Sequence, residues 1–294
     1  MKFFQLCAGL IPLLTLALLS TAQAAAPAKL ANPFFAMDTS YRRGNLTHAQ
    51  QLDLVKELGF AGVTEDLQPP AQMKANLADI EGRGLKLFAV YASARVTSDG
   101  DIVIPDEVSS AMNILKDHGT IIWLHIGGKG PAIDSLSGHE PMIAKLRQLS
   151  ATAKADGLRI AIYPHFGEYT AHLGDAVKLA KTVDHESFGV TFNLCHNLAN
   201  GDEKEIPALI AAAGPKLFIA TIDGADSGVK GADWGRLIQP LGSGTYETRI
   251  VLDALAQIHF AGPIGFQGYG IKGDPRAILA PTIKAWTKLT HSSS

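Results

Sequence analysis

Short apolar runs alternate with longer amphipathic stretches along almost the whole chain. Eight apolar runs stand out: PFFAMD, FAGVTED, LKLFAVYA, TIIWLHIGG, LRIAIYPH, FGVTFNLCH, LFIATIDGAD and PIGFQGYG. Each is rich in β-branched or aromatic residues and ends in polar residues or glycine, as strands buried in a parallel sheet do. Helical patterns fill the intervals. HAQQLDLVKELG puts Leu52, Val55 and Leu58 on one face, with Thr47 as N-cap and Gly59 as the stop. GDAVKLAKTV groups Ala176, Val177 and Ala180, and RIVLDALAQI groups Val251, Leu255 and Ile258.

From Asp38 to Gln267 the spacing is about 33 residues per strand–helix unit, and eight such units predict a single (β/α)8 TIM barrel in the α/β class. A doubly wound open sheet is the competing arrangement. The count of eight and the lack of a glycine-rich phosphate loop after the first strand speak against it.

Residues 1–24 predict something separate. Lys2, the run CAGLIPLLTLALLS and the small residues Ala22 and Ala24 follow the pattern of a cleaved secretory signal peptide. The apolar run is too short to span a bilayer comfortably. The expectation is an exported protein, periplasmic or secreted, with a TIM-barrel domain over 25–294 and no membrane association after cleavage.

Charge narrows the partners. The chain has 26 Lys and Arg against 28 Asp and Glu, with no basic cluster, and removing the leader takes away only Lys2. Nucleic acid needs clustered cations against its phosphates, so it is not an expected partner. Of the two cysteines, Cys7 lies in the leader and Cys195 remains alone, so the fold must hold by its core without an internal disulfide.

In a barrel the chemistry sits at the C-terminal strand ends. Those ends carry Asp38, Glu65 with Asp66, Tyr91, His125, Tyr163 with His165 and Glu168, Asn193 with His196, Asp223 with Asp226, and Gln267 with Tyr269. Histidines thus fall at strands four, five and six, neighbours around one rim. Plainer readings stand beside the functional ones. His125 would bond a nearby carbonyl, and His196 would cap a helix starting near Gly201. Asp223 and Asp226 would bond local backbone in a turn, and Cys195 would be a small packed residue. The other seven histidines, His139 and His48 among them, read as solvated.

Three stretches carry a family resemblance: PLGSGTYETRIVLDALAQIHFAGPIGFQ over 240–267, ELGFAGVTED, and FNLCH over 192–196. Together they resemble the xylose-isomerase-like TIM barrels of sugar isomerases and epimerases, related in fold to the type-four apurinic endonucleases. The resemblance implies a divalent ion held by Glu, Asp, His and Glu on strands five to eight, the glutamates also moving the substrate proton. This chain has Tyr163, Asn193, Ala220 or Thr221, and Gln267 at those places. His196 and His125 match histidines of the related endonucleases.

Amides and a phenol supply no net charge to a dication, and a glutamine cannot act as a general base. A displaced site built from His125, His165 and His196, with Asp223 or Glu168, would suit zinc or manganese. His165 and His196 are the expected acid and base, because imidazole titrates near neutrality. Glu65, Tyr163, Asn193, Asp223, Trp234, Gln267 and Tyr269 are the expected substrate-binding residues.

The expected function is an exported sugar isomerase or epimerase, acting by proton transfer next to a carbonyl on a non-phosphorylated sugar or keto-sugar, with elimination or hydration as related chemistry. The alternatives are a non-catalytic sugar-binding barrel and a metal-dependent phosphoesterase. The expected partner is a small-molecule carbohydrate.

Overall fold

A computed structural model describes residues 30–291. The expected signal peptide lies outside the described residues. The strands are β1 (Phe34–Ala36), β2 (Gly62–Asp66), β3 (Lys86–Val96), β4 (Ile102–Val103), β5 (Ile121–Gly128), β6 (Arg159–Ile162), β7 (Phe188–Asn193), β8 (Leu217–Ile222) and β9 (Ile264–Phe266). They pair in the order β2-β1-β9-β8-β7-β6-β5-β3, and β2 pairs again with β3. That second pairing closes an eight-stranded parallel barrel ringed by helices, so the fold is a (β/α)8 TIM barrel. All eight apolar runs became its strands. β4 is additional: it adds an antiparallel pair, Arg95↔Val103 and Val96↔Ile102, to an over-long β3.

The helices follow the local signals. Thr47 caps the helix His48–Glu57 in a reciprocal box, its hydroxyl taking the Gln50 N–H while the Gln50 amide oxygen takes the Thr47 N–H. Leu52 and Val55 are fully buried on the predicted face.

Alternation along the strands separates two cores. Outward residues such as Ile122, Leu124, Ile160 and Val190 pack under the helices. Inward residues, among them Phe35, Phe88, Trp123, Ala161, Tyr163 and Ile219, fill the barrel lumen. Phe35 lies against Phe88 and Trp123 with ring centroids 5.4 and 6.1 Å apart. Gly265 makes this filling feasible, since a Cβ there would sit 2.0 Å from the Phe35 ring. Trp123 and Tyr163, 5.1 Å apart between centroids, form the upper layer of the lumen and so the floor of the site above.

Two histidines depart from expectation. His139 is fully buried, its Nδ1 near the Ser137 carbonyl and its Nε2 against the Tyr169 hydroxyl. His48 reaches Glu65 at 3.0 Å. Tyr169 and Glu65 are distant in sequence from these histidines, which local patterning does not register.

Candidate active site

A cavity of about 310 Å³ opens over the lumen floor at the C-terminal end of the barrel. Met37, Asp38 and Thr39 after β1, Asp66 of β2 and Tyr91 of β3 line one side. Tyr163 and His165 after β6, His196 after β7, Trp234 and Ile238 after β8, and Gln267 and Tyr269 after β9 line the rest. Three barrel strands lie between β1 and β6 in either direction around the ring, so Asp38 and His165 stand across the mouth from each other.

Three of the expected binding residues meet in one hydrogen-bond web. Asn193 Nδ2 and, at 3.4 Å, Gln267 Nε2 both donate to the Tyr163 hydroxyl oxygen. The amide orientations follow from their other partners. Gln267 Oε1 accepts from Thr39 Oγ1 at 2.6 Å and from the Tyr269 N–H at 3.0 Å. Asn193 Oδ1 accepts from the Cys195 thiol at 3.0 Å. Burial pushes the Tyr163 phenol well above its ordinary range, so it stays neutral. The Cys195 thiol is likewise pushed well up, by burial and then by Asp223, and is an unreactive packed group.

The imidazoles His165 and His196 lie 4.1 Å apart between centroids. One peptide residue sets both tautomers. The Phe166 carbonyl can only accept, so His165 Nδ1 carries the proton toward it at 3.0 Å and Nε2 keeps a lone pair. The Phe166 N–H donates to His196 Nδ1 at 3.4 Å, so neutral His196 carries its proton on Nε2. Burial, then the charges of His165 and His125, hold His196 well below the ordinary imidazole range. His196 sits in the first turn of the helix Leu194–Asn200 and does not cap a later one.

His125 stacks on Tyr91, and burial followed by the His165 charge lowers its pKa against the opposing pull of Glu168. Its ring nitrogens have no protein hydrogen-bond partner. Among the described residues, the group with donor atoms within metal-sharing reach is His125, His165 and Glu168. His196, expected in that trio, stands outside it, its Nδ1 taken by the Phe166 amide.

Three expected binding residues do not line the cavity, and the first is Asn193, fully buried with its amide spent on Tyr163 and Cys195. Glu65 is buried under the helix Asp38–Tyr41, where Tyr41, Arg42, His48 and Asn76 hold it. Burial alone would raise its pKa, but the hydrogen bonds from His48 and Tyr41 and the Arg42 charge carry it below the ordinary value. It is a structural anion. Asp223 is fully buried with neither carboxylate oxygen hydrogen-bonded to protein, and burial pushes its pKa well above the ordinary carboxylate range. Asp226 pairs at 2.9 Å with the Arg236 guanidinium, a side chain from the following helix, where local backbone was the expected partner.

The strongest acid–base candidate is one the strand-end reading recorded without assigning it a role. Asp38 opens on the cavity, and its carboxyl is raised to about 7 by burial first and then by Asp66, with Glu65 adding; the Thr39 N–H and Arg42 oppose. Its position as the first polar residue after β1 was the available signal. Its burial arises only in the closed barrel, which a strand-end position does not reveal.

The family model described as the xylose isomerase-like TIM barrel matches residues 52–288. The chain belongs to the xylose isomerase-like TIM barrel family. Solved structures share the fold at low identity. The IOLI protein with a bound zinc atom superposes with a TM-score of 0.68 at 16% identity, over 89% of this chain and 99% of that one. The 3-keto-D-glucoside 4-epimerase of E. coli gives 0.66 at 16%, over 87% and 99%. A fusion of such a barrel with a 4-hydroxyphenylpyruvate dioxygenase gives 0.64 at 20%, over 89% of this chain but only 43% of the fusion. No curated protein matches the chain in sequence.

The ion that the family resemblance implies does not fit its usual place here. Tyr163, Asn193 and Gln267 are neutral, and their polar atoms are spent on one another. Such a web offers a dication no charge and few free lone pairs, so no step is derived through an ion at that position.

Proposed function

We propose that this protein moves a proton at the carbon beside the carbonyl of a non-phosphorylated sugar or keto-sugar, as an isomerase or epimerase does. The observation that carries the reading is Asp38, a carboxyl raised to about 7 that faces a sugar-sized cavity across from two imidazoles. A base is most effective when its pKa is near the working pH. Ionised Asp38 takes the proton next to the carbonyl and, in an isomerisation, returns it to the neighbouring carbon; in an epimerisation a group across the cavity delivers a proton to the opposite face of the same carbon. Neutral His196 donates its Nε2–H to the oxygen on which enediolate charge develops, since an uncharged imidazole can serve as an electrophile.

Binding follows the lining. Trp234 and Tyr269 offer ring faces to the sugar, and the Tyr163–Gln267–Thr39 web offers hydroxyl partners. Among the described residues lining the cavity there is no Lys or Arg, while Asp38 and Asp66 both face it. A phosphate dianion would meet two acids and no cation, which supports an unphosphorylated substrate. Family membership and neighbours named as sugar epimerases support the same class. The same proton abstraction would also serve an elimination.

A second reading, sugar binding without turnover, is favoured by the neutral web at the family's ion position. Incubating the protein with a panel of keto-sugars in D2O and following the sugars by NMR separates the two. The proposal expects deuterium at the carbon beside the carbonyl, lost in Asp38→Asn. Saturable binding with no exchange would leave only the binding reading.

Export is part of the same proposal, on the pattern of residues 1–24. Intact-mass measurement on protein from a periplasmic or culture fraction should find a chain starting at Ala25.

A further inference from the structure

Beside the sugar cavity, on the sector shared by β5 and the loop after β6, three donor groups converge. A ring nitrogen of His125, one of His165 and a carboxylate oxygen of Glu168 all lie within 4.8 Å of one another. The tightest pair, His125 Nε2 and Glu168 Oε1, is 3.8 Å apart.

Four features of the chain prepare this cluster. The first is the turn His165–Glu168, closed by the Glu168 N–H on the His165 carbonyl at 3.0 Å, with Gly167 at φ +82° in its third position. A turn of that kind needs a residue tolerant of positive φ there, and it brings its first and fourth residues side by side. The second is the Phe166 carbonyl, which holds the His165 proton on Nδ1 and leaves Nε2 free to donate to an ion. A carbonyl behind a ligating imidazole is the usual means of orienting it.

The third is Gly127. A Cβ at this position would stand 2.7 Å from Glu168 Oε2 and 3.9 Å from the His125 ring. The carboxylate occupies the space that a side chain would fill. The fourth is His125 itself, whose two ring nitrogens are shielded from solvent with no protein hydrogen-bond partner. Buried polar atoms left unpaired are uncommon and call for a ligand.

We propose that His125, His165 and Glu168 form a binding site for one late first-row dication of the zinc type. Two imidazoles and one carboxylate match the donor set of three-ligand zinc sites, and imidazole is a poor ligand for magnesium or calcium. Three protein donors leave a four-coordinate ion one position for water or a sugar oxygen, and His165 also lines the sugar cavity. The site draws on β5 and the loop after β6, apart from the Tyr163–Asn193–Gln267 web. It goes beyond the proton-transfer reading and does not depend on it, because ion uptake is read without substrate.

The test uses tag-free full-length protein, stripped with chelator and then titrated with Zn²⁺, with Co²⁺ as an optical probe of the ligand set. The site predicts one ion per chain and a visible Co²⁺ spectrum. Glu168→Gln and Gly127→Ala should weaken Zn²⁺ at least about tenfold while the far-UV spectrum and melting temperature hold. Both changes are mild for the fold, since Glu168 is largely at the surface and the Gly127 methyl meets only the end of a flexible side chain. His125→Ala should abolish uptake. Asp38→Asn should leave it unchanged. No uptake would overturn the assignment. So would uptake indifferent to Glu168→Gln and Gly127→Ala, or uptake lost instead in Gln267→Ala.

Discussion

His165 and His196 lie 4.1 Å apart in opposite tautomers, because the carbonyl of Phe166 accepts from one ring and its N–H donates to the other. A free lone pair and a fixed N–H donor are thereby presented side by side. Neither assignment needs a charged ring. On the proposed reading His196 donates to the substrate oxygen, and the lone pair of His165 is the one offered to the ion.

For His196 the expectation is a loss of rate with binding retained. His196→Ala should lower the exchange rate about a hundredfold, the effect of removing one donor from a developing oxyanion. His196→Gln keeps an N–H and should recover part of it. Exchange rates and sugar affinity measured on the same variants check this. A drop confined to affinity would remove His196 from the chemistry.

Asp38 should control the pH dependence of turnover. Rate should rise through about pH 7 as the carboxyl ionises, and Asp38→Asn should cost on the order of 10² to 10⁴ in rate. This midpoint is set by burial itself, Asp66 and Glu65 on β2, the Thr39 N–H, and Arg42 just past the end of its helix. Asp66→Asn should move the midpoint downward. A flat pH profile in the parent protein would count against Asp38.

Stability should carry the same group with the opposite sense. Folded Asp38 keeps its proton to about 7, whereas the unfolded chain releases it near 3.8. The folded state thus holds the extra proton between those values, and this contribution is present below pH 3.8 and lost as pH rises toward 7. His196 and His125, with lowered pKa values, act the other way: their contribution is lost as pH falls below the ordinary imidazole value of 6.5. Denaturation midpoints across pH 4 to 8 should fall less steeply with rising pH in Asp38→Asn than in the parent.

Tyr163→Phe tests the web. It removes the acceptor shared by Asn193 Nδ2 and Gln267 Nε2 and leaves two buried donors unpaired. The expected cost is about 1–3 kcal/mol in urea unfolding. A neutral result would mean that these amides find other partners.

Glu65→Gln should be a stability variant. Tyr41, Arg42, His48 and Asn76 all converge on this buried carboxylate. Removing the charge from such a set costs about 3 kcal/mol. Chemical denaturation should show the loss, and sugar affinity at a temperature where the variant is folded should remain near that of the parent.

The strands were legible because a parallel barrel buries both faces of each one, and the resulting apolar runs need no knowledge of their neighbours. The Thr47 cap and the helix faces at Leu52 and Val55 were legible for a similar reason: their partners lie within one turn. Rim residues were harder to read. Tyr163, His165, His196, Trp234, Gln267 and Tyr269 do line the cavity, while Glu65 and Asp223, equally placed at strand ends, do not. At a strand end the last residues alternate between the lumen and the helix layer, and local twist decides which way each points. The turn HFGE was in plain view, yet only its folded form shows that Glu168 reaches the space left by Gly127.

Sequence alone determined the barrel, its eight strands and the neutral balance of charge, and it placed Tyr163, Asn193 and Gln267 at strand ends. Those properties depend on residue type and on spacings shorter than one strand–helix unit. Tertiary structure decided that Asn193 and Gln267 both bond to Tyr163, that burial and Asp66 raise the Asp38 carboxyl to about 7, and that Glu168 takes its place beside His125 and His165. Each of these depends on solvent exclusion or contact between groups from separate strands, and both arise only when the barrel closes.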